Sequence, residues 1–396
     1  MPLPLEVFQW KHEKVKAFLA ENGYAALAVT TPANFYMLTG FHLDVAPWER
    51  PVAAVFPAQG EPFMVMNSLS THHLMMAKER EALYVTDWST YYEHNRYSKK
   101  TYVTPQWTEL LAARLHAAGI RKGTVAVDGS GGSLAGVKKK LPGIDFVDVT
   151  PFMVETREIK HPEELAVLRL AASLTDYAQD RYMELARPGK LAIAVDAEVM
   201  ALVYEEASRR HPDREIASST KGLSGPASAS PHGNGANLGV RFEKGHGVVN
   251  ILNVRLDGLM CESERTFFIG QPSDLQKRAY EAATAAALRA AEQIVAGNTV
   301  ADIDGAAQAV IEAAGFGDNI FHRTGHGMGI EGHEFPADVA FNYRPLKENE
   351  VWSCEPGVYI YGLGGFRQDN SVIVGRDRPE VLNKRSVRLE DQIIPV

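Results

Sequence analysis

Glu262 and Glu264 stand two residues apart in Leu259-Met260-Cys261-Glu262-Ser263-Glu264-Arg265-Thr266-Phe267, a stretch with the pattern of a strand. Side chains alternate faces along a strand, so both carboxylates share a face with Met260 and Thr266. If that face is buried, one of them takes a proton or a cation sits between them. If it is solvated, the pair does nothing. A second segment, 322–334, carries His322, His326 and His333 among Gly325, Gly327, Gly329 and Gly332. Glycines let the backbone pass close to a ligand or another strand. Neutral imidazole is a frequent metal ligand and titrates near neutral pH. Glu355 ends a strand before the turn Pro356-Gly357, and Asp369 follows Arg367-Gln368 at the entry to another strand. Each is placed for chemistry or for capping a turn. Cys261 and Cys354 each adjoin one of these glutamates, and strand alternation turns their thiols to the opposite face, toward packing.

The elements that position these residues differ between the two halves of the chain. In residues 1–153, helical and strand patterns alternate. A helix over 14–22 stops at Gly23. Strands are expected over 25–29, 52–56, 62–66, 124–127 and 146–149, and an amphipathic helix over 107–118 ends at Gly119. That alternation predicts an α/β layered domain. Residues 154–396 form a second domain. Pro162, Glu163 and Glu164 open a long helix to 185, Pro188-Gly189 stops it, and another follows over 191–210. Residues 217–239, rich in Ser, Gly, Pro and Asn and containing His232, read as a loop. Strands over 247–256 and 259–269 flank Asp257-Gly258, a hairpin signal. Helices are expected over 274–296 and 299–314, then short strands with glycine-rich turns. Trp48, Trp88, Tyr91 and Tyr92 line a pocket, meet a second subunit or, more plainly, pack a core.

Composition narrows the function classes. The chain has 396 residues, long enough for two domains, with a formal net charge of -8. That charge argues against a nucleic-acid binder, which needs a basic face. Two cysteines do not make a disulfide framework and suit a reducing compartment. The residues after Met1 lack a basic patch followed by an apolar core, and no 18-residue apolar run occurs, so a cytoplasmic protein without a membrane span is expected.

In order and spacing, the segments His232-Gly233, Glu262 ahead of Arg265-Thr266-Phe267, Thr324-Gly325-His326-Gly327, His333-Glu334 with Pro336, Glu355-Pro356-Gly357 and Arg367 with Asp369 resemble family M24. That family holds prolidase, aminopeptidase P, methionine aminopeptidase and creatinase. The resemblance covers about residues 155–396 and implies an α+β "pita-bread" catalytic domain. Asn34-Phe35-Tyr36-Met37-Leu38-Thr39-Gly40 resembles the N-terminal domain of creatinase and prolidase. The family's peptidases hold two metals with two aspartates, a histidine and two glutamates. Here His326 and Glu355 match, Asp369 stands for the second glutamate and Glu262 for the second aspartate. The first aspartate falls on Ile251.

These departures resemble creatinase and ectoine hydrolase, which implies hydrolysis of a C–N bond in a small amino-acid-like, amidine or guanidine substrate without a metal pair. On that reading His232, Glu264, Glu355, His326 and His333 are catalytic, and Arg50, Glu262, Asp369 and Arg367 bind substrate. His232 is the acid/base, Glu264 a clamp or nucleophile, and Arg50 reaches the substrate carboxylate of a partner subunit in a homodimer. The alternative is an Xaa-Pro dipeptidase or aminopeptidase with one divalent metal (Zn, Mn or Fe) on Glu262, His326, Glu355 and Asp369. A third reading is a relative that binds a small ligand without turnover. No cofactor is expected on the first reading. In every case several buried carboxylates need a positive charge: a metal, a protonated histidine or the substrate.

Overall fold

Gly23 ends the first helix as its position predicts, with φ +66° and the left-handed cap that closes a helix. This is a feature of a computed structural model describing residues 3–94, 101–129, 134–233, 239–334 and 340–396. The chain divides into two units, Met1–Arg157 and Glu158–Val396. The expected break after residue 153 falls inside a helix, Thr150–Glu158, whose Pro151 sits in the first turn, where a helix tolerates it.

The first unit runs α1 (Leu5–Asn22), β1 (Ala26–Val29), α2 (Pro32–Thr39), β2 (Ala53–Pro57), β3 (Phe63–Asn67), α3 (Thr71–Glu79), β4 (Trp88–Tyr91), α4 (Val103–Ala117), β5 (Gly123–Val127), α5 (Leu134–Lys140), β6 (Ile144–Asp148) and α6 (Thr150–Glu158). Its strands order as β4-β3-β2-β1-β5-β6 in one mixed sheet, the expected α/β layer. α4 contributes Trp107, Leu111 and Leu115 to the core beside Ala26, Val55 and Val125. The motif over 34–40 lies in α2 and its cap. A side chain at Gly40 would put a Cβ 2.5 Å from the Ala82 carbonyl, so only glycine fits this cap. Of the aromatic residues read from the sequence, Tyr91 is core, whereas Trp48 is 87% exposed.

The second unit opens with α7 (Pro162–Leu185), started by a capping box between His161 and Glu164. It continues with α8 (Ala192–Arg210), β7 (Ile216–Ser224), β8 (Gly247–Leu256), β9 (Leu259–Ile269), α9 (Asp274–Ala291), α10 (Val300–Ala313), β10 (Gly325–Gly327), β11 (Val351–Cys354), β12 (Gly357–Ile360), β13 (Gly364–Arg367), β14 (Asp369–Ile373), β15 (Glu380–Val381) and β16 (Ile393–Ile394). One large sheet has the order β10-β11-β14-β9-β8-β7, with β15 on β14 and β16 on β9; β12 and β13 pair separately. The alanine face of α9 (Ala279, Ala283, Ala286, Ala290) lies in one core with Phe268, Trp352 and Phe366. No helix among the described residues is long and apolar enough to cross a membrane.

Two expectations about this unit resolve differently. Asp257-Gly258 is a hairpin turn with φ +45° and +78°, the left-handed pair of a type I′ turn, and Leu256 faces Leu259 across it. The loop expected over 217–239 is corrected in its first third, because Ile216–Ser224 is β7, paired along its length with β8. As the edge strand, β7 alternates half-buried with exposed residues over 216–220 and is buried only at its end, so its serines and lysine mimic loop composition.

β7 is pinned from beneath by Asp196 of α8, whose carboxylate accepts from Tyr182 Oη at 2.7 Å and from the Gly222 amide at 3.0 Å. Burial raises the Asp196 pKa to about 6. The folded value lies above the unfolded value of about 3.9. Its stabilising contribution is therefore full below about pH 4 and is lost as pH rises through about 6, by up to about 3 kcal/mol. Asp196→Asn is expected to flatten this part of the stability curve. Urea melts of both proteins from pH 4 to 7 measure it, and a difference that does not change with pH would refute it.

Candidate active site

The hairpin register places Glu262 opposite Asn253 and Glu264 opposite Ile251. Arg265 then locks β9 to β14: its guanidinium donates to the carbonyls of Glu264 (2.8 Å) and Asp369 (2.6 Å) and to Asn370 Oδ1 (2.9 Å). Thr266 Oγ1 donates to the Arg367 carbonyl at 2.9 Å and accepts from the Arg367 amide at 2.8 Å. The Arg-Thr pair after Glu264 is thus a clasp that presents Arg367. Thr324 is anchored through its amide and hydroxyl, both 2.8 Å from Asp304 Oδ1 of α10. This aligns β10, where His326 pairs with Ser353 of β11. Glu355 follows β11 directly, its amide donating to the Thr324 carbonyl at 2.7 Å.

These strands close around a cavity of about 300 Å³ lined by His232, Glu262, Glu264, His326, His333, Glu355 and Arg367, among others. The expected gathering of acids and imidazoles in one space is therefore present. Two predicted residues stand elsewhere. Asp369 is fully buried behind the wall, its Oδ1 accepting from Ser353 Oγ at 2.9 Å. Arg50 belongs to the first unit, where it pairs with Glu49 and Glu93. Pro336 lies outside the described residues. Cys261 and Cys354 are buried, with Cys261 Sγ 3.1 Å from Ser371 Oγ, which fits packing.

His326 is held with Nδ1 3.3 Å from the Gly327 carbonyl. A carbonyl only accepts, so Nδ1 carries the proton and Nε2 presents a lone pair. That lone pair lies 3.6 Å from Glu262 Oε2 and 3.6 Å from Glu355 Oε1. Burial, then His333, lowers the His326 pKa to about 3. Burial, then neighbouring carboxylates, pushes Glu262 and Glu355 well up. Desolvation keeps His326, His322 and His333 on the neutral side. Arg323 and Arg367 both line the cavity, and Arg367 pairs with Glu264 (Nη2 to Oε1 2.7 Å, Nε to Oε2) and stands 3.8 Å from Glu355. Burial lifts Glu264 to about 7 while Arg367 pulls it down. A guanidinium held by both carboxylate oxygens favours the ionised pair, so the protons fall on Glu262 and Glu355.

The sequence reading placed His322 in its histidine segment but not in the site, and it passed over Tyr359. His322 Nε2 lies 2.7 Å from Tyr359 Oη, which accepts from Arg367 at 3.1 Å. Nothing in the spacing of a lone strand tyrosine signals this. Gly357 does: a Cβ there would meet Tyr359 Oη at 2.5 Å, so the Pro-Gly turn keeps room for the phenol. Gly357→Ala is expected to destabilise the fold by about 1–3 kcal/mol through overpacking, read by thermal unfolding. A melting temperature equal to the parent's would remove Tyr359 from the account.

A two-domain fold, a strand-walled acidic cavity and this motif order define a class of C–N bond hydrolases. The chain belongs to metallopeptidase family M24, whose model matches residues 166–394, and the creatinase/prolidase N-terminal domain model matches residues 11–159. A Bacillus subtilis relative, YkvY, is 30% identical over 368 residues, covering 92% of this chain and 95% of that one. The Xaa-Pro dipeptidase of Pyrococcus furiosus is 28% identical over 377 residues, 94% of this chain and 97% of that one. The crystal structure of dipeptidase PepE from Mycobacterium ulcerans superposes with a TM-score of 0.81 at 26% identity, covering 100% of both chains. The pita-bread domain and its N-terminal companion are thereby established, and the chain is a hydrolase of C–N bonds.

The metal pair of the family's peptidases does not fit these residues. Ile251 is an alkyl side chain where the first aspartate would be, whereas Asp369 meets Ser353 through Oδ1 and its buried Oδ2 has no hydrogen-bond partner among the described residues. Glu262, His326 and Glu355 do converge, with His326 Nε2 3.6 Å from an oxygen of each glutamate.

Proposed function

We propose that the chain hydrolyses the amide bond of dipeptide-sized substrates, Xaa-Pro dipeptides among them. The names of its relatives favour this over the creatine- or ectoine-like reading. The observation that carries it is the convergence of the His326 lone pair with Glu262 and Glu355 on one wall of a cavity of about 300 Å³. Three acceptors at one point call for a proton or a cation: Glu355 keeps its proton, and the α-ammonium of a dipeptide takes the place of the proton on Glu262. His232 acts as general base on water, and Glu355 in its acid form returns a proton to the leaving nitrogen. Arg50 from a partner subunit, gripping the substrate carboxylate in a homodimer, belongs to the same proposal.

A second reading has its own support. Ile251 in place of an aspartate and Glu264 ahead of Arg265 favour a creatinase-like enzyme that seats an amidinium or guanidinium between the acids. The discriminating experiment incubates purified protein with Xaa-Pro dipeptides, creatine and a cyclic amidine, with and without chelator, alongside elemental analysis. Release of amino acids from dipeptides is the expected result. Turnover of the amidine or creatine alone would replace the first reading by the second. A bound divalent ion with chelator-sensitive turnover would assign Glu262, His326 and Glu355 to one metal. Tight binding of a ligand that no condition turns over would leave the non-enzymatic reading.

A further inference from the structure

We propose that Arg323 is a positioning residue that fixes the proton positions of the two histidines it touches, making His333 a permanent hydrogen-bond donor to a substrate oxygen. The argument is one of donors and acceptors. Arg323 Nη2 lies 2.8 Å from His333 Nδ1. A guanidinium has five N–H donors and no acceptor, so this Nδ1 must be the unprotonated nitrogen. A ring whose Nδ1 accepts from a guanidinium is a neutral imidazole. Its single proton therefore sits on Nε2, and Nε2–H is the polar group His333 offers the cavity it lines.

The backbone of the same residue does the opposite to His322. The Arg323 carbonyl lies 2.7 Å from His322 Nδ1. A carbonyl only accepts, so His322 carries its proton on Nδ1 and its Nε2 accepts from Tyr359 Oη at 2.7 Å. The phenol oxygen is then free to accept from Arg367. One residue thus sets His322 as an acceptor through its carbonyl and His333 as a donor through its side chain. His333 stacks on His326 with ring centroids 3.7 Å apart and planes 17° apart. The site consequently shows two parallel imidazoles of opposite polarity: His326 presents a lone pair and His333 an N–H. A base needs a free lone pair, so His333 serves as a binder of a carbonyl or carboxylate oxygen. The oxygen-binding part rests on the hydrolase reading proposed above; the tautomers do not.

Long-range ¹H–¹⁵N spectra of ¹⁵N-histidine-labelled protein test this, with signals assigned through His333→Gln and His322→Gln. The wild type is expected to show Nε2–H for His333 and Nδ1–H for His322. Arg323→Lys retains a donor and is expected to keep both tautomers. Arg323→Glu presents an acceptor and is expected to move the His333 proton to Nδ1, raising KM for a carboxylate-bearing dipeptide roughly tenfold. His322 is expected to stay unchanged throughout, because its partner is backbone; a general structural disturbance would move both signals. An Nδ1–H His333 in the wild type overturns the proposal, and that spectrum alone decides it should Arg323→Glu fail to fold. If no dipeptide is turned over yet the tautomers are as stated, the substrate reading has failed and the Arg323 assignment stands.

Discussion

Arg367→Met is expected to destabilise the protein by about 3–5 kcal/mol at pH 8, the cost of removing one partner from a buried ion pair. Arg367 is 2% exposed and Glu264 6% exposed, so water cannot replace the lost charge. The variant leaves Glu264 facing Glu355, Glu262 and Asp369, the neighbours that already raise one another's pKa. Without its guanidinium Glu264 rises above the value of about 7 it has beside Arg367. A folded pKa above the unfolded one contributes stability that is full below the unfolded pKa and is lost as pH rises through the folded value. The defect should therefore be smaller at pH 5 than at pH 8. Arg367→Met with Glu264→Gln removes both charges and should recover a large part of the loss, because replacing a whole buried pair is far cheaper than breaking it. Chemical denaturation of the three proteins at both pH values is the measurement. A single variant as stable as its parent at pH 8 would show that the pair is not what balances the pocket.

The same residue shows where the sequence was readable and where it was not. Periodicity located β8 and β9, and Asp257-Gly258 set their turn, so the shared face of Glu262 and Glu264 followed from alternation alone. The order of glycine-histidine and glutamate motifs then brought together His232, His326, His333, Glu355 and Arg367, which do line one cavity. Arg367, however, was read as a substrate binder. That it spends its charge on Glu264 depends on a contact between residues 103 positions apart, which no local pattern carries. Asp369 matched a metal-ligand position in order, but its carboxylate points to Ser353, a matter of side-chain packing. β7 was hidden because an edge strand needs only one apolar face. His322 and Tyr359 stayed out of the candidate set because their roles are relayed through other side chains.

The charge balance also separates two acids that the sequence treats alike. Glu264 has Arg367 on both oxygens, whereas Glu355 has the guanidinium only at 3.8 Å and the His326 lone pair at 3.6 Å. The first suits an anion and the second a neutral acid. Two carboxyl groups whose surroundings drive their protonation apart are a common basis for dividing acid from electrostatic roles.

Glu355→Gln follows from that division. It is expected to lower kcat by about 10²–10⁴-fold, the usual contribution of a positioned general acid, with KM changed far less. Gln keeps the shape and the hydrogen-bonding ability of a protonated Glu and lacks only the transferable proton. Because Glu355 already carries its proton in the fold, the substitution exchanges neutral for neutral at about pH 4, and unfolding free energy there should move by less than about 1 kcal/mol; as pH rises only the wild type loses stability through the raised pKa, so the variant becomes progressively the more stable of the two. A Glu355 with an ordinary carboxylate pKa would give no such pH-dependent difference. The wild-type rate should also fall as pH rises through the elevated Glu355 pKa, because only the acid form can protonate the leaving nitrogen. Steady-state kinetics on a dipeptide, a pH–rate profile and urea melts across the same pH range test all three. An unchanged kcat, or a stability difference between Glu355→Gln and wild type that does not change with pH, would mean that Glu355 is not the acid and that the proton for the departing amine comes from another group.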